Sequence, residues 1–175
     1  MTYRANYGEF PRTAALLFGL GLGGCFDGIV FQQLLQWHHM MSSWYPPTSL
    51  ANMRLNTRWD GFYDGLACLL VVLGIASFWR KASMRELYWS REMLLGGLLV
   101  GWGAFNVVEG LLAHELLGIH HFNETGPAAG QSSWDLAFLA WGALMLVAGR
   151  RLERSADRRR KPRDVRVGVA SKAAG

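Results

Sequence analysis

The chain has 175 residues, 51% of them hydrophobic, with eight tryptophans, 21 glycines and a formal net charge of +5. That length is one domain's worth, and so much apolar and glycine content excludes an ordinary soluble core and points to a membrane protein. The basic excess is distributed like a topology signal, so it gives no support to nucleic-acid binding.

In chain order, a short segment (1–12) carries Arg4 and Arg12 and precedes the first apolar stretch, near Thr13–His39. Further stretches lie near Phe62–Trp79, Met93–His121 and Trp134–Arg150. A helix crosses the hydrocarbon layer with about 20 residues, so the sequence predicts an all-α integral membrane protein with four transmembrane helices in a bundle (13–150). The first stretch outruns the 7–15 apolar residues typical of a cleavable signal and is read as a retained span. Arg80, Lys81, Arg85 and Arg91 separate the second and third spans, and ten basic residues fall between Arg150 and Lys172. The positive-inside rule therefore predicts both termini in the cytoplasm. Segment 151–175 reads as a basic, disordered cytoplasmic tail.

The first and third spans carry one motif twice, FDGIVFQQLLQWHHM (Phe26–Met40) and VEGLLAHELLGIHHF (Val108–Phe122), at a constant offset of 82 residues. Asp27 matches Glu109, Gln32 matches His114, and His38-His39 match His120-His121. All five histidines fall within this unit. Gly24-x-x-x-Gly28 and Gly97-x-x-x-Gly101 on the same spans predict close helix approach. Together these predict a parallel two-helix internal repeat with a pseudo-twofold axis along the membrane normal. The second and fourth spans echo each other in Tyr63-Asp64 and Trp134-Asp135. For Asp60 and Asp135, capping of a helix N-terminus stands beside a role in a site.

An ionised carboxylate at bilayer depth costs roughly 2.5–3.5 kcal/mol, so Asp27 and Glu109 point to function. A continuous helix puts Asp27 and His38 on one stripe but about 16 Å apart in depth. The expected layout is thus two layers. The outer one gathers His38, His39, His120 and His121 with Asp60, Asp64 and Asp135. The inner one pairs Asp27 with Glu109, near Asn106, Gln32 and His114. The outer set, with Asp64 and Asp135, suits a transition metal such as copper, iron or zinc, serving redox chemistry or metal handling. Asp27, Glu109, His114, Gln32, Asp60 and Asn106 would relay protons or orient ligands.

Other readings stay open: haem with His38 and His120 as axial ligands, a proton-coupled transporter using Asp27 and Glu109 and working as a homodimer, or a non-catalytic assembly partner. Histidine pairs also occur as plain interfacial residues, and buried protonated carboxyls as interhelical glue. Cys25 and Cys68 lie inside spans and read as small buried residues and not as a disulfide.

Through FDGIVFQQLLQWHHM, WDGFYDGLA and EGLLAHELLGIHH, the chain resembles the bacterial domain-of-unknown-function 2243 family of membrane proteins, over about Leu16–Val147. The resemblance implies four spans in a bacterial inner membrane, with the lipid bilayer as surroundings. It also hints at copper or haem handling beside a respiratory oxidase or its assembly factors.

Overall fold

The structure, a computed structural model, describes residues 10–84 and 89–160. Helix α1 (Arg12–Phe26) passes into a π-helical segment, Asp27–Leu34. After a connection come α2 (Leu50–Met84) and α3 (Arg91–Glu109), which passes into a second π-helical segment, Gly110–Leu116. A short 3-10 turn (Ala128–Gly130) leads into α4, Gln131–Arg160. Four helical stretches are long and apolar enough to cross a membrane: Arg12–Leu34, Leu50–Met84, Arg91–Leu116 and Ala128–Arg159. The expected all-α, four-span architecture is therefore present. The first and third spans end at Leu34 and Leu116, short of the histidine pairs that the sequence reading had placed on them. Of the basic tail, residues up to Arg160 continue α4; the expectation of disorder for 161–175 lies outside the described residues, as do the N-terminal residues 1–9.

Local signals explain the start of α3. Ser90 stands before it in extended conformation and its Oγ accepts the Met93 N–H at 3.2 Å, satisfying one of the free donors of the first turn. Packing then follows small residues. α1 and α3 lie at the centre, α2 packs on α1, and α4 packs on α3. A Cβ on Gly101 would run into the Leu16 carbonyl and the Leu20 backbone, and one on Gly19 into the Leu98 backbone. The α3–α4 contact repeats this device, with Gly103 against the Gly142 carbonyl and Gly149 against the Gly96 carbonyl, each at 2.6 Å from an ideal Cβ. Backbones this close gain dispersion contacts that compensate for the absence of a hydrophobic drive inside lipid. Leu34, Phe62 and Leu116 point outward, each more than 70% exposed, as lipid-facing side chains do.

One end of the bundle is tied by ion pairs. Arg12 donates to both carboxylate oxygens of Asp157 at 2.6 and 2.7 Å, and Arg159 donates to Glu92 at 2.9 Å. The starts of α1 and α3 thus both meet the end of α4, so α1 and α3 run in the same direction. Cys25 and Cys68 are free thiols that meet across α1 and α2 with sulfurs 3.9 Å apart, Cys68 exposed on the outer face. They are less buried than the sequence reading expected.

Two outcomes test this packing. Gly101→Val should destabilise the protein by about 1–3 kcal/mol or more, because the added side chain meets rigid backbone; Gly61→Ala, inside α2 where a Cβ meets nothing within 4 Å, should be neutral or stabilising by up to about 1 kcal/mol. Detergent-titrated unfolding of the two variants reads the difference. Mild oxidation of membranes should cross-link Cys25 to Cys68 within one chain, seen as a mobility shift lost in Cys68→Ser.

Candidate metal centre

Each central helix ends in the same way. The Leu35 N–H donates to the Val30 carbonyl at 2.8 Å and the Trp37 N–H to the Phe31 carbonyl at 2.8 Å; Leu117 to Leu112 and Ile119 to Ala113 do the same at 2.9 and 3.0 Å. Between these bonds sits a left-handed residue, Gln36 (φ 51°) in one segment and Gly118 (φ 56°) in the other. A left-handed residue just past the last turn stops a helix and reverses the chain. The reversal carries His38 and His120 back down beside the carboxylates eleven residues before them.

The two-layer expectation is therefore overturned. His38 Nε2 lies 3.6 Å from Asp27 Oδ2, and His120 Nε2 lies 2.9 Å from Glu109 Oε1. These distances replace the separation of about 16 Å that an unbroken helix requires. One buried layer contains both groups.

Two crossed hydrogen bonds fix the histidines. His38 Nδ1 donates to the Phe122 carbonyl at 2.8 Å, and His120 Nδ1 donates to the Met40 carbonyl at 3.2 Å, each reaching the other loop. A carbonyl only accepts, so the proton of each neutral ring sits on Nδ1 and the lone pair on Nε2. The rings stack, with centroids 4.5 Å apart and planes 2° from parallel. His114 stands at their side, its Nε2 3.3 Å from Glu109 Oε1 and its Nδ1 3.3 Å from Asp135 Oδ1. Glu109, His114 and His120 each offer a ligand atom, all within 4.8 Å of one another. Phe122 and Phe138 cover the group, with the Phe138 ring centroid 5.3 Å from that of His114. The aromatic cover keeps the local dielectric low and strengthens every electrostatic contact inside.

Asp27 is buried as well. Its Oδ2 accepts the Tyr63 hydroxyl at 3.1 Å and the Gln32 amide at 3.3 Å. Several buried polar atoms around the centre have no hydrogen-bond partner: Asp27 Oδ1, Gln32 Oε1, His38 Nε2, Glu109 Oε2 and both nitrogens of His114. Such atoms are costly unless a further group satisfies them. Asn106, one turn before Glu109, is buried with its Nδ2 unpartnered and packs against Gly142.

His39 and His121 go elsewhere. His39 Nδ1 donates to Asp60 Oδ2 and His121 Nδ1 to Asp135 Oδ2, both at 2.7 Å, with their rings partly exposed. The same carboxylates accept the Met40 N–H at 2.8 Å and the Phe122 N–H at 2.7 Å. Asp60 and Asp135 are clamps that hold the reversing loops onto α2 and α4, not helix caps; Asp60 lies well inside α2. Asp64 accepts the Gln33 amide through Oδ2 and packs against Gly28. Of the residues expected as metal ligands, the structure thus brings together His38 and His120, joins Asp135 to the edge through His114, and leaves His39, His121 and Asp64 outside the inner group. Tyr63 was missed as a site residue, although the Tyr63-Asp64 and Trp134-Asp135 echo marked its position.

A family model described as a predicted membrane protein (DUF2243) matches residues 14–156. The chain belongs to the DUF2243 family. Neither the curated proteins nor the solved structures give a match. The DUF2243 segment contains the whole polar centre, from Asp27 to Asp135.

The clamp in this DUF2243 protein has a measurable weight. Asp135→Ala leaves the Phe122 N–H and His121 without a partner and should cost about 1–3 kcal/mol. Asp157→Asn, which removes only a solvent-exposed pair at the other end, should cost about 1 kcal/mol or less. Thermal unfolding in detergent should rank them in that order.

Proposed function

We propose that the protein is an integral-membrane metal-binding protein whose principal ion is held by Glu109, His114 and His120. One observation carries the reading: His120 Nδ1 donates to the Met40 carbonyl, so its Nε2 lone pair faces the Glu109 carboxylate at 2.9 Å, acceptor against acceptor. A positive species has to stand between them, and a transition-metal ion suits both donors at once. In a coordination shell with arms of about 2.1 Å, neighbouring ligands are about 3.0–3.4 Å apart. The spacings of 2.9 Å (His120 to Glu109) and 3.3 Å (His114 to Glu109) are close to that edge length. Two imidazoles with one carboxylate suit iron, zinc or copper, and for iron this set leaves open positions for redox chemistry. Haem is the weaker reading. Axial histidines approach iron edge-on from opposite faces, whereas His38 and His120 stack directly on each other.

With the orientation given by the positive-inside rule, the termini lie in the cytoplasm of a bacterial inner membrane and the centre lies toward the outer surface. The rival reading favoured by the same contact is a proton on His120 Nε2, which would make the cluster interhelical glue or part of a proton path. Elemental analysis separates the two. Protein purified in detergent and washed with a weak chelator should retain a transition metal in stoichiometric amount. His120→Ala combined with Glu109→Gln should lose it while remaining monodisperse; unchanged metal in that variant overturns the proposal.

A further inference from the structure

We propose that the buried centre holds a second ion, bound by Asp27, His38 and Gln32 beside the first, so that the site is binuclear. This rests on the metal-binding reading above and extends it to the half of the cluster that the principal ion leaves unsatisfied.

The argument is the sign of the orphaned atoms. His38 donates through Nδ1 to Phe122, so its inward Nε2, fully buried and without a partner, is an acceptor. Asp27 Oδ2 takes both available donors, Tyr63 and Gln32, and Oδ1 has none. Gln32 donates one amide hydrogen to Asp27, and its unpartnered Oε1 is again an acceptor. One residue along, Asp64 packs on Gly28 with its Oδ1 buried and unpartnered. Within the inner group, three unpartnered acceptors, on His38, Asp27 and Gln32, thus lie on the Asp27 side, while the unpartnered donors, Asn106 Nδ2 and the single N–H of a neutral His114, belong to the α3 side that carries Glu109. A water could satisfy at most two of those acceptors as donor.

Among the described residues, no lysine or arginine pairs with Asp27, Glu109 or Asp135; their ion-pair partners are histidines. One divalent ion at Glu109 balances that carboxylate and part of its surroundings. Asp27, buried on the other side, calls for a second. The separation of 3.6 Å between His38 Nε2 and Asp27 Oδ2 is slightly wider than a coordination edge of about 3.0–3.4 Å. Stacking of His38 on His120 makes the two ligand sets adjacent, as in two-metal centres.

The second position is the weaker one. Its third ligand is the amide oxygen of Gln32, where the first has the imidazole of His114. An amide oxygen is a poorer donor than an imidazole nitrogen toward zinc, so binding should be stepwise.

The test is Zn(II) titration of chelator-stripped full-length protein in nanodiscs, read by calorimetry and by elemental analysis after desalting. Two Zn(II) per chain, the second weaker, are expected. Asp27→Asn with His38→Ala should bind one, and Gln32→His should tighten the second step about tenfold or more. One Zn(II) in the unaltered protein, or no response to Gln32→His, overturns the binuclear centre and leaves the single-ion reading standing. No Zn(II), iron or copper bound at all overturns both. Because Gln32→His is a gain, a fold lost in the other variant does not decide the result.

Discussion

The close approach of α1 and α3 is the constraint on which the rest of the molecule depends. Hydrocarbon offers no hydrogen-bond partner, so ionisable side chains persist within spans only where protein encloses them. Gly19 and Gly101 bring the two backbones together, and the carboxylates of Asp27 and Glu109 follow them into one interior. The outer helices complete the enclosure with polar groups of their own. α2 supplies Tyr63 to Asp27, and α4 supplies Asp135 to His121 and Phe122. A glycine contact at one level of the bundle thus sets the polar chemistry at another.

Helix termination does the remaining work. Both central helices widen into π-helical turns before stopping, a feature rare in helices and concentrated at functional sites. The left-handed conformation at Gln36 costs about 1–2 kcal/mol for a residue with a Cβ. It is offset locally by the Trp37 N–H bond to Phe31 and by the Glu124 N–H bond to the Trp37 carbonyl, both 2.8 Å. Reversal also lets each loop lend a carbonyl to the other loop's histidine. The tautomer of each ring is therefore fixed by backbone, which holds position better than a side chain does.

The sequence made the spans legible because hydropathy and small-residue spacing are local properties. The weight of Asp27, Glu109 and the histidines was legible too, since charges within apolar runs are few and were written twice. Depth was not legible. Treating His38 and His120 as helical separated them from their carboxylates, when the chain in fact doubles back. Gly118 carried a usable stop signal, a glycine just after the last apolar turn, but Gln36 at the matching place gave none. The roles of Asp60 and Asp135 were hidden for a different reason. Capping is a rule about a helix's own donors, and these carboxylates serve donors of loops far away in sequence.

The two halves differ in one respect that bears on what the centre is for. His114 has a nitrogen on each side and so touches both Glu109 and Asp135, coupling the loop clamp of α4 to the buried group. Gln32 at the matching place donates to Asp27 alone, and the clamp on Asp60 stays separate from the centre. As interhelical glue, His114 would act only as a charged bridge between the two carboxylates, each 3.3 Å from one of its nitrogens. A neutral imidazole is poor glue there, because neither nitrogen of His114 makes an aligned hydrogen bond. It is a better choice for coordination, where the lone pair needs no donor opposite. The substitution that breaks the likeness of the halves therefore gives Glu109 two imidazoles within 3.3 Å, where Asp27 has one at 3.6 Å.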